Sequence, residues 1–280
     1  MRDLLADSLN GVILVFLISS MLTLGLSVTV RQILVPLSDA RLVISSLATN
    51  YVLVPLIAIV VTRIIPLDEA LRSGFVLYAL AAGSEAGPRF VETGKGNVAL
   101  AVGLLVLFLA VNIVYVPMIL AVALPEAHID RVKLLTKLVV LVALPTGVGL
   151  FLKARHAAIT ARLRPGADRL STVFMWLLLA LVLLLNVADL SRLLGSGGLL
   201  AAALFFTLAF AAGYLTGGRE RSDRRTLGIM TFARNASLTL VIAGQVFADR
   251  PGALVMIIAM AVVSMLIAVP VASWLGRRGT

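Results

Sequence analysis

Residues 71–94 read LRSGFVLYALAAGSEAGPRFVETG, an apolar run that begins like a membrane span and is then interrupted. The interruption is made by Gly83, Gly87 and Pro88. Glycine and proline inside a span leave backbone groups that hydrocarbon cannot satisfy, so such a break must be buried in protein or line a cavity. The stretch therefore predicts a broken transmembrane helix whose break is buried in protein or lines a cavity.

A second interrupted run lies at residues 226–247 and carries Arg234 and Asn235 near its middle. A charged side chain within a span costs at least about 2.5–3.5 kcal/mol, so a functional role is its default interpretation. Residues 71–82 and 226–233 could instead form short re-entrant or interfacial segments. Each lies between well-formed apolar runs that it must still connect, which favours broken spans.

The composition assigns the class of protein. Of 280 residues, 60% are hydrophobic and 14% are charged, against roughly 45–50% and 25% in soluble domains. The charges cluster between apolar runs that are long enough to cross a bilayer. A soluble enzyme or a nucleic-acid binder is excluded despite the net charge of +10, because the basic residues occupy short loops. The chain has no cysteine.

We therefore predict an all-α integral membrane protein, with residues 1–280 forming a single transmembrane domain in the lipid bilayer. Nine spans are predicted, at about 11–30, 42–61, 71–94, 97–120, 134–152, 170–187, 199–215, 226–247 and 252–275. The stretch 21–26 contains a glycine suited to close helix contact, and Asn112 is expected to make an interhelical hydrogen bond.

The two halves of the chain show a repeat. Arg72 and Arg225 precede the two interrupted spans, and they share one sequence offset with Pro117 and Pro270 in the spans that follow. Lysine and arginine are more frequent in the loops on the side of the C-terminus, which predicts a cytoplasmic C-terminus and an external N-terminus in the plasma (inner) membrane. Matching spans are five crossings apart, so the repeat is inverted, as in many secondary transporters.

Several motifs give the chain a family resemblance. They are MLTLGL at 21–26, NYVLVP at 50–55, GKGNVAL at 94–100, and the Arg234-Asn235 pair. In this order and spacing they resemble the bile acid:sodium symporter family, in its nine-helix form. The resemblance implies two crossed, broken helices, transport of organic anions by alternating access, and usually coupling to sodium. It also implies a panel domain (11–30, 134–152, 170–187) and a core domain (42–61, 71–94, 97–120, 199–215, 226–247, 252–275).

The sodium-ligand positions implied by the resemblance are degenerate in this chain. Side-chain oxygens of the family are replaced at Gly87, Pro88, Ala101, Leu105, Met230 and Arg234. A hard cation needs several oxygen ligands. We therefore expect no sodium site, no other metal and no cofactor.

The predicted site lies where the third and eighth spans cross. Its residues are Asn50, Glu85, Arg89, Glu92, Thr93, Thr231, Arg234 and Asn235. Arg89 and Arg234 are predicted to meet there as fixed cations that replace sodium. Glu85, Arg89 and Glu92 could instead form an ion-pair ladder that only locks the crossing. Arg234 could pair with Glu85, with Glu92 or with a substrate anion.

The sequence thus predicts a sodium-independent secondary transporter of small organic anions. The alternatives are a conventional sodium-coupled organic anion symporter and a membrane sensor or binding protein that transports nothing. An enzyme is not predicted, because Glu85 and Glu92 have no evident nucleophile or metal cluster beside them. The oligomeric state is not predicted.

Overall fold

The computed structural model describes residues 2–34, 38–124, 130–185, 193, 195–247 and 250–277. These residues are helical apart from short connections, so the predicted all-α class is confirmed. The last residues of the predicted sixth span, 186–187, lie outside the described residues.

The helices follow the predicted apolar runs. Their bounds are α1 Arg2–Ser27, α2 Val30–Leu34, α3 Ala40–Ile64, α4 Glu69–Leu80, α5 Gly87–Thr93, α6 Val98–Ala123, α7 Arg131–Arg155, α8 Ala157–Leu185, α9 Gly198–Thr216, α10 Arg221–Phe232, α11 Ala236–Val246 and α12 Pro251–Arg277. Among the described residues, α3, α6, α7, α9 and α12 are long and apolar enough to cross a membrane. Residues 11–27 of α1 and the whole of α11 are shorter apolar helices.

Helix α1 packs mainly against α7 and α8. The closest approach is at Gly25 and Gly149, where a Cβ atom on Gly149 would lie 2.7 Å from Leu22 O and 2.8 Å from Leu26 N. Only a residue without a side chain lets two helix backbones come this close. The close contact predicted for the stretch 21–26 is confirmed.

Helix α3 changes its winding beside the predicted site. Thr49–Leu53 form a π-helical turn that contains Asn50, a local irregularity that is frequent at functional sites. Pro55 follows this turn and has no amide hydrogen, so it cannot bond the Tyr51 carbonyl four residues earlier. The Tyr115 hydroxyl donates to that carbonyl instead.

Candidate functional site at a helix crossing

The two interrupted spans cross at their breaks, as predicted. Ala82, between α4 and α5, forms an antiparallel bridge with Arg234, between α10 and α11. Asn235 N donates to Ala81 O at 3.0 Å, and Ser84 N donates to Ala233 O at 3.1 Å. Each break thus supplies hydrogen-bond partners to the other, which solves the problem of backbone groups freed inside hydrocarbon.

The first break is shifted from its predicted position. It spans residues 81–86 and includes Gly83, whose φ of +84° suits a glycine. Gly87 and Pro88 do not lie in the break, because they form the first turn of α5. Proline is well tolerated there, since the first amides of a helix have no partner within that helix.

A polar pair on neighbouring helices supports the crossing. Asn112 Nδ2 donates to Ala82 O at 2.7 Å, and the Tyr51 hydroxyl lies 3.0 Å from Asn112 Oδ1. The interhelical bond predicted for Asn112 is confirmed. It reaches a carbonyl of the break itself, so Asn112 helps to hold the unwound backbone in place.

Arg234 is buried at the crossing without a partner. Its side chain is 1% exposed, and Nε, Nη1 and Nη2 all lack a hydrogen-bond acceptor within the described part of the chain. The guanidinium interacts electrostatically with the side chains of Tyr51, Tyr78 and Tyr115. A buried charge without a partner is costly, and a guanidinium can form two parallel hydrogen bonds to a carboxylate.

Two amide side chains, on the residue after Arg234 and on the π-helical turn of α3, also keep unused hydrogen-bonding groups. Asn235 Oδ1 accepts from Leu238 N and caps α11, which leaves Asn235 Nδ2 buried without an acceptor in the described residues. Asn50 Nδ2 donates to Ser46 O at 2.9 Å and lies 3.3 Å from Thr231 Oγ1. Asn50 Oδ1 has no donor among the described residues. The crossing thus contains both free donors and a free acceptor.

Glu85 does not pair with an arginine. Its Oε2 accepts a hydrogen bond from Ser20 Oγ of α1 at 2.6 Å, and its Oε1 lies 3.5 Å from Ser237 Oγ of α11. The described residues place no cation within ion-pair distance of this carboxylate. The carboxylate therefore joins α1 to the crossing, a role that the sequence did not predict for Ser20.

Arg89, Glu92 and Thr93 lie apart from this buried cluster. Helix α5 buries its Gly87 and Val91 face and leaves Arg89, Glu92 and Thr93 exposed. Thr93 Oγ1 donates to the Arg89 carbonyl of the same helix.

No ion pair joins Arg89 to Glu85 or Glu92 within the described ranges, so the ion-pair ladder is not formed. Glu92 likewise makes no ion pair with Arg234, whose nitrogens are unbonded. Arg89 and Arg234 therefore differ in burial: Arg89 is exposed on α5, whereas Arg234 is buried at the crossing.

The bond between Ser20 and Glu85 yields a prediction. Ser20→Ala is expected to lower the free energy of unfolding by about 1–2 kcal/mol, because it leaves a half-buried carboxylate without its short hydrogen bond. Ser19→Ala is the matched control. Ser19 is equally buried, at 4% exposed, but its hydroxyl bonds only carbonyls of α1. Thermal unfolding in detergent measures both variants, and equal effects would contradict this role of Ser20.

The geometry defines an all-helical membrane protein built around two broken helices that meet at a buried cation. The Sodium Bile acid symporter family model matches residues 14–193, and the chain belongs to this family. The matched range contains Asn50 and Glu85, and it ends before the second break with Arg234. A comparison with curated proteins gives no match.

Proposed function

We propose that the protein is a secondary transporter of small organic anions that works by alternating access and needs no sodium. The observation that carries the proposal is the unpartnered Arg234 guanidinium at the helix crossing. A guanidinium is always charged and can hold a carboxylate through two parallel hydrogen bonds. Asn235 Nδ2 adds a further free donor on the adjacent residue.

The carboxyl ends of two broken helices would stabilise a positive charge at the crossing. The carboxyl ends of α4 and α10 reach the crossing at Leu80 and Phe232, and their last carbonyls carry partial negative charge. Arg234 follows the end of α10 by two residues. A mobile cation or a fixed arginine would be stabilised there, and the arginine supplies that charge permanently.

The amino end of α11 would stabilise an anion bound next to Arg234. This helix begins at Ala236, and the amino end of a helix carries partial positive charge. Broken helices of other transporters direct such ends at anionic groups of the substrate. A carboxylate bound between Arg234 and the start of α11 would receive a salt bridge and the favourable end of a helix dipole.

The proposed architecture has nine spans in an inverted repeat. The first, fifth and sixth spans, which contain α1, α7 and α8, form the panel domain, and the six other spans form the core domain. The packing of α1 against α7 and α8 supports this division. We place the N-terminus outside and the C-terminus in the cytoplasm, in the plasma membrane.

Alternating access requires the panel and core to move against each other. Arg234 is closed off at 1% exposure, so a substrate can reach it only after such a movement. The hydrogen bond from Ser20 to Glu85 links α1 to the crossing and must be remade or replaced during the cycle. It therefore holds the described conformation closed.

A fixed cation has a consequence for the direction of transport. The arginine stays with the protein. It therefore cannot couple the membrane potential to the uptake of the anion, as a co-transported sodium ion does. An inside-negative potential then drives a monovalent anion outward by about 2.3 kcal/mol per 100 mV. The protein is thus proposed to be a facilitator or exporter, unless a carboxylate such as Glu85 couples a proton.

The test is uptake into proteoliposomes in sodium and in potassium at matched pH and membrane potential. A thermal-shift screen of mono- and dicarboxylic acids, with and without sodium, selects the anion to be used. The same initial rate in both cations is expected for the wild type. Transport that strictly requires sodium would overturn the proposal and favour a conventional symporter, and binding without counterflow would favour a sensor.

A further inference from the structure

A cavity of about 490 Å³ opens where α7 ends and α8 begins, far along the chain from both breaks. Its lining includes Lys153, Ala157, Thr160, Ala161, Arg164 and Asp168. The α8 residues in this set recur every three or four positions, so they form one face of the helix. Ala157 and Ala161 have side chains too small to fill the cavity.

The polar groups of this cavity suit an anion. Lys153 and Arg164 bring two positive charges, and Asp168 brings one negative charge. None of the three makes an ion pair within the described residues. Thr160 is 3% exposed, and its Oγ1 is buried without a hydrogen-bond partner in the described part of the molecule. Two cations and an unused hydroxyl thus share one cavity.

Three large apolar side chains that lie close in the chain to the lining residues are exposed. Phe151, Ile159 and Leu163 expose 60%, 45% and 45% of their surface. Exposed apolar side chains are favourable where they contact the hydrocarbon of a lipid. A free phosphate would make no use of them, whereas the acyl chains of a lipid would cover them.

We propose that this cavity binds the phosphate-bearing headgroup of an anionic membrane lipid. Lys153 and Arg164 hold the phosphate, and Thr160 Oγ1 donates to one of its oxygens. Asp168 can accept a hydrogen bond from a headgroup hydroxyl such as those of phosphatidylglycerol. Basic cavities between membrane helices on the cytoplasmic side are suited to such headgroups. The site takes its cytoplasmic placement from the orientation proposed above and does not depend on transport activity.

The test is native mass spectrometry of the full chain in detergent, titrated with phosphatidylglycerol or phosphatidylcholine. Phosphatidylglycerol is expected to bind more tightly. The double variant Lys153→Gln/Arg164→Gln is expected to raise its apparent Kd about tenfold or more, since two charges near the headgroup are lost. Thr160→Val keeps the charge and the side-chain shape, and it is expected to raise the Kd about fivefold.

The matched control is Arg162→Gln/Arg169→Gln, which removes the same charge from exposed positions outside the cavity lining. It is expected to leave the Kd unchanged. Equal weakening by both double variants would show diffuse attraction and overturn the site. Equal binding of phosphatidylcholine would overturn the requirement for an anionic lipid. Displacement of the lipid by inorganic phosphate at similar concentration would identify a free-phosphate site instead.

Discussion

Replacing Arg234 with glutamine is expected to lower transport at least about 30-fold while leaving the protein as stable as the wild type or more stable. The loss of transport follows because a buried charge that holds an anion contributes at least about 2 kcal/mol. The expected stability follows because an unsatisfied buried group costs about 1–3 kcal/mol. The variant replaces a charged group with three such nitrogens by one smaller, neutral amide. Opposite signs for activity and stability are typical of a functional site.

Two measurements check this expectation: thermal unfolding in detergent and the initial rate of uptake into proteoliposomes. Arg89→Gln is the matched control, because it makes the same substitution at an exposed position of α5. It is expected to change neither quantity. Arg234→Lys keeps the charge and loses the planar, bidentate geometry, so an intermediate rate is expected. A destabilised but fully active Arg234→Gln would show that the arginine only holds the crossing together.

Gly149→Ala is expected to lower the free energy of unfolding by about 3 kcal/mol, the upper end of the range for an overpacked core. The added methyl group would lie 2.7 Å from Leu22 O and 2.8 Å from Leu26 N. Both contacts are backbone atoms of α1, which cannot turn away as the end of a side chain can. The helices must separate instead, and the close contact at Gly25 is lost with them.

The same helix offers a control two residues away. A methyl group added at Gly147 would have no described atom within 4 Å, so Gly147→Ala meets open space. Alanine favours a helix over glycine by about 1 kcal/mol, and this variant is therefore expected to be slightly more stable. Thermal unfolding of the two variants should give shifts of opposite sign. A Gly149→Ala variant that is stabilised like Gly147→Ala would show that helix propensity, and not the contact with α1, dominates at Gly149.

Local sequence was sufficient for several features of the protein. The apolar composition and clustered charges identified a helical membrane protein, because only helices and closed barrels satisfy their backbone groups in hydrocarbon. Gly83 and the charge at Arg234 located the two breaks. The glycine at position 25 predicted a close helix contact. Each of these conclusions depends on residues that are near one another in the chain.

The partners of Glu85, which lie far away in the sequence, were not predicted. Glu85 and Arg89 have the spacing of an ion pair on one helix, yet Ser20 and Ser237 bond the carboxylate instead. Spacing shows which contacts a helix permits, whereas the packing of neighbouring helices selects among them. A pair of adjacent serines within an apolar span, Ser19 and Ser20, was the available signal for the missed residue.

The sequence by itself determined that the chain is a membrane protein with two broken helices and a charge at one break. Only the tertiary structure decided which arginine is buried at the crossing. Helix α5 packs through Gly87 and Val91, which turns Arg89 outward. Arg234 instead lies in the backbone bridge to Ala82, where packed helices surround it on all sides. Burial depends on neighbours brought together by folding, so the pattern of one segment cannot reveal it.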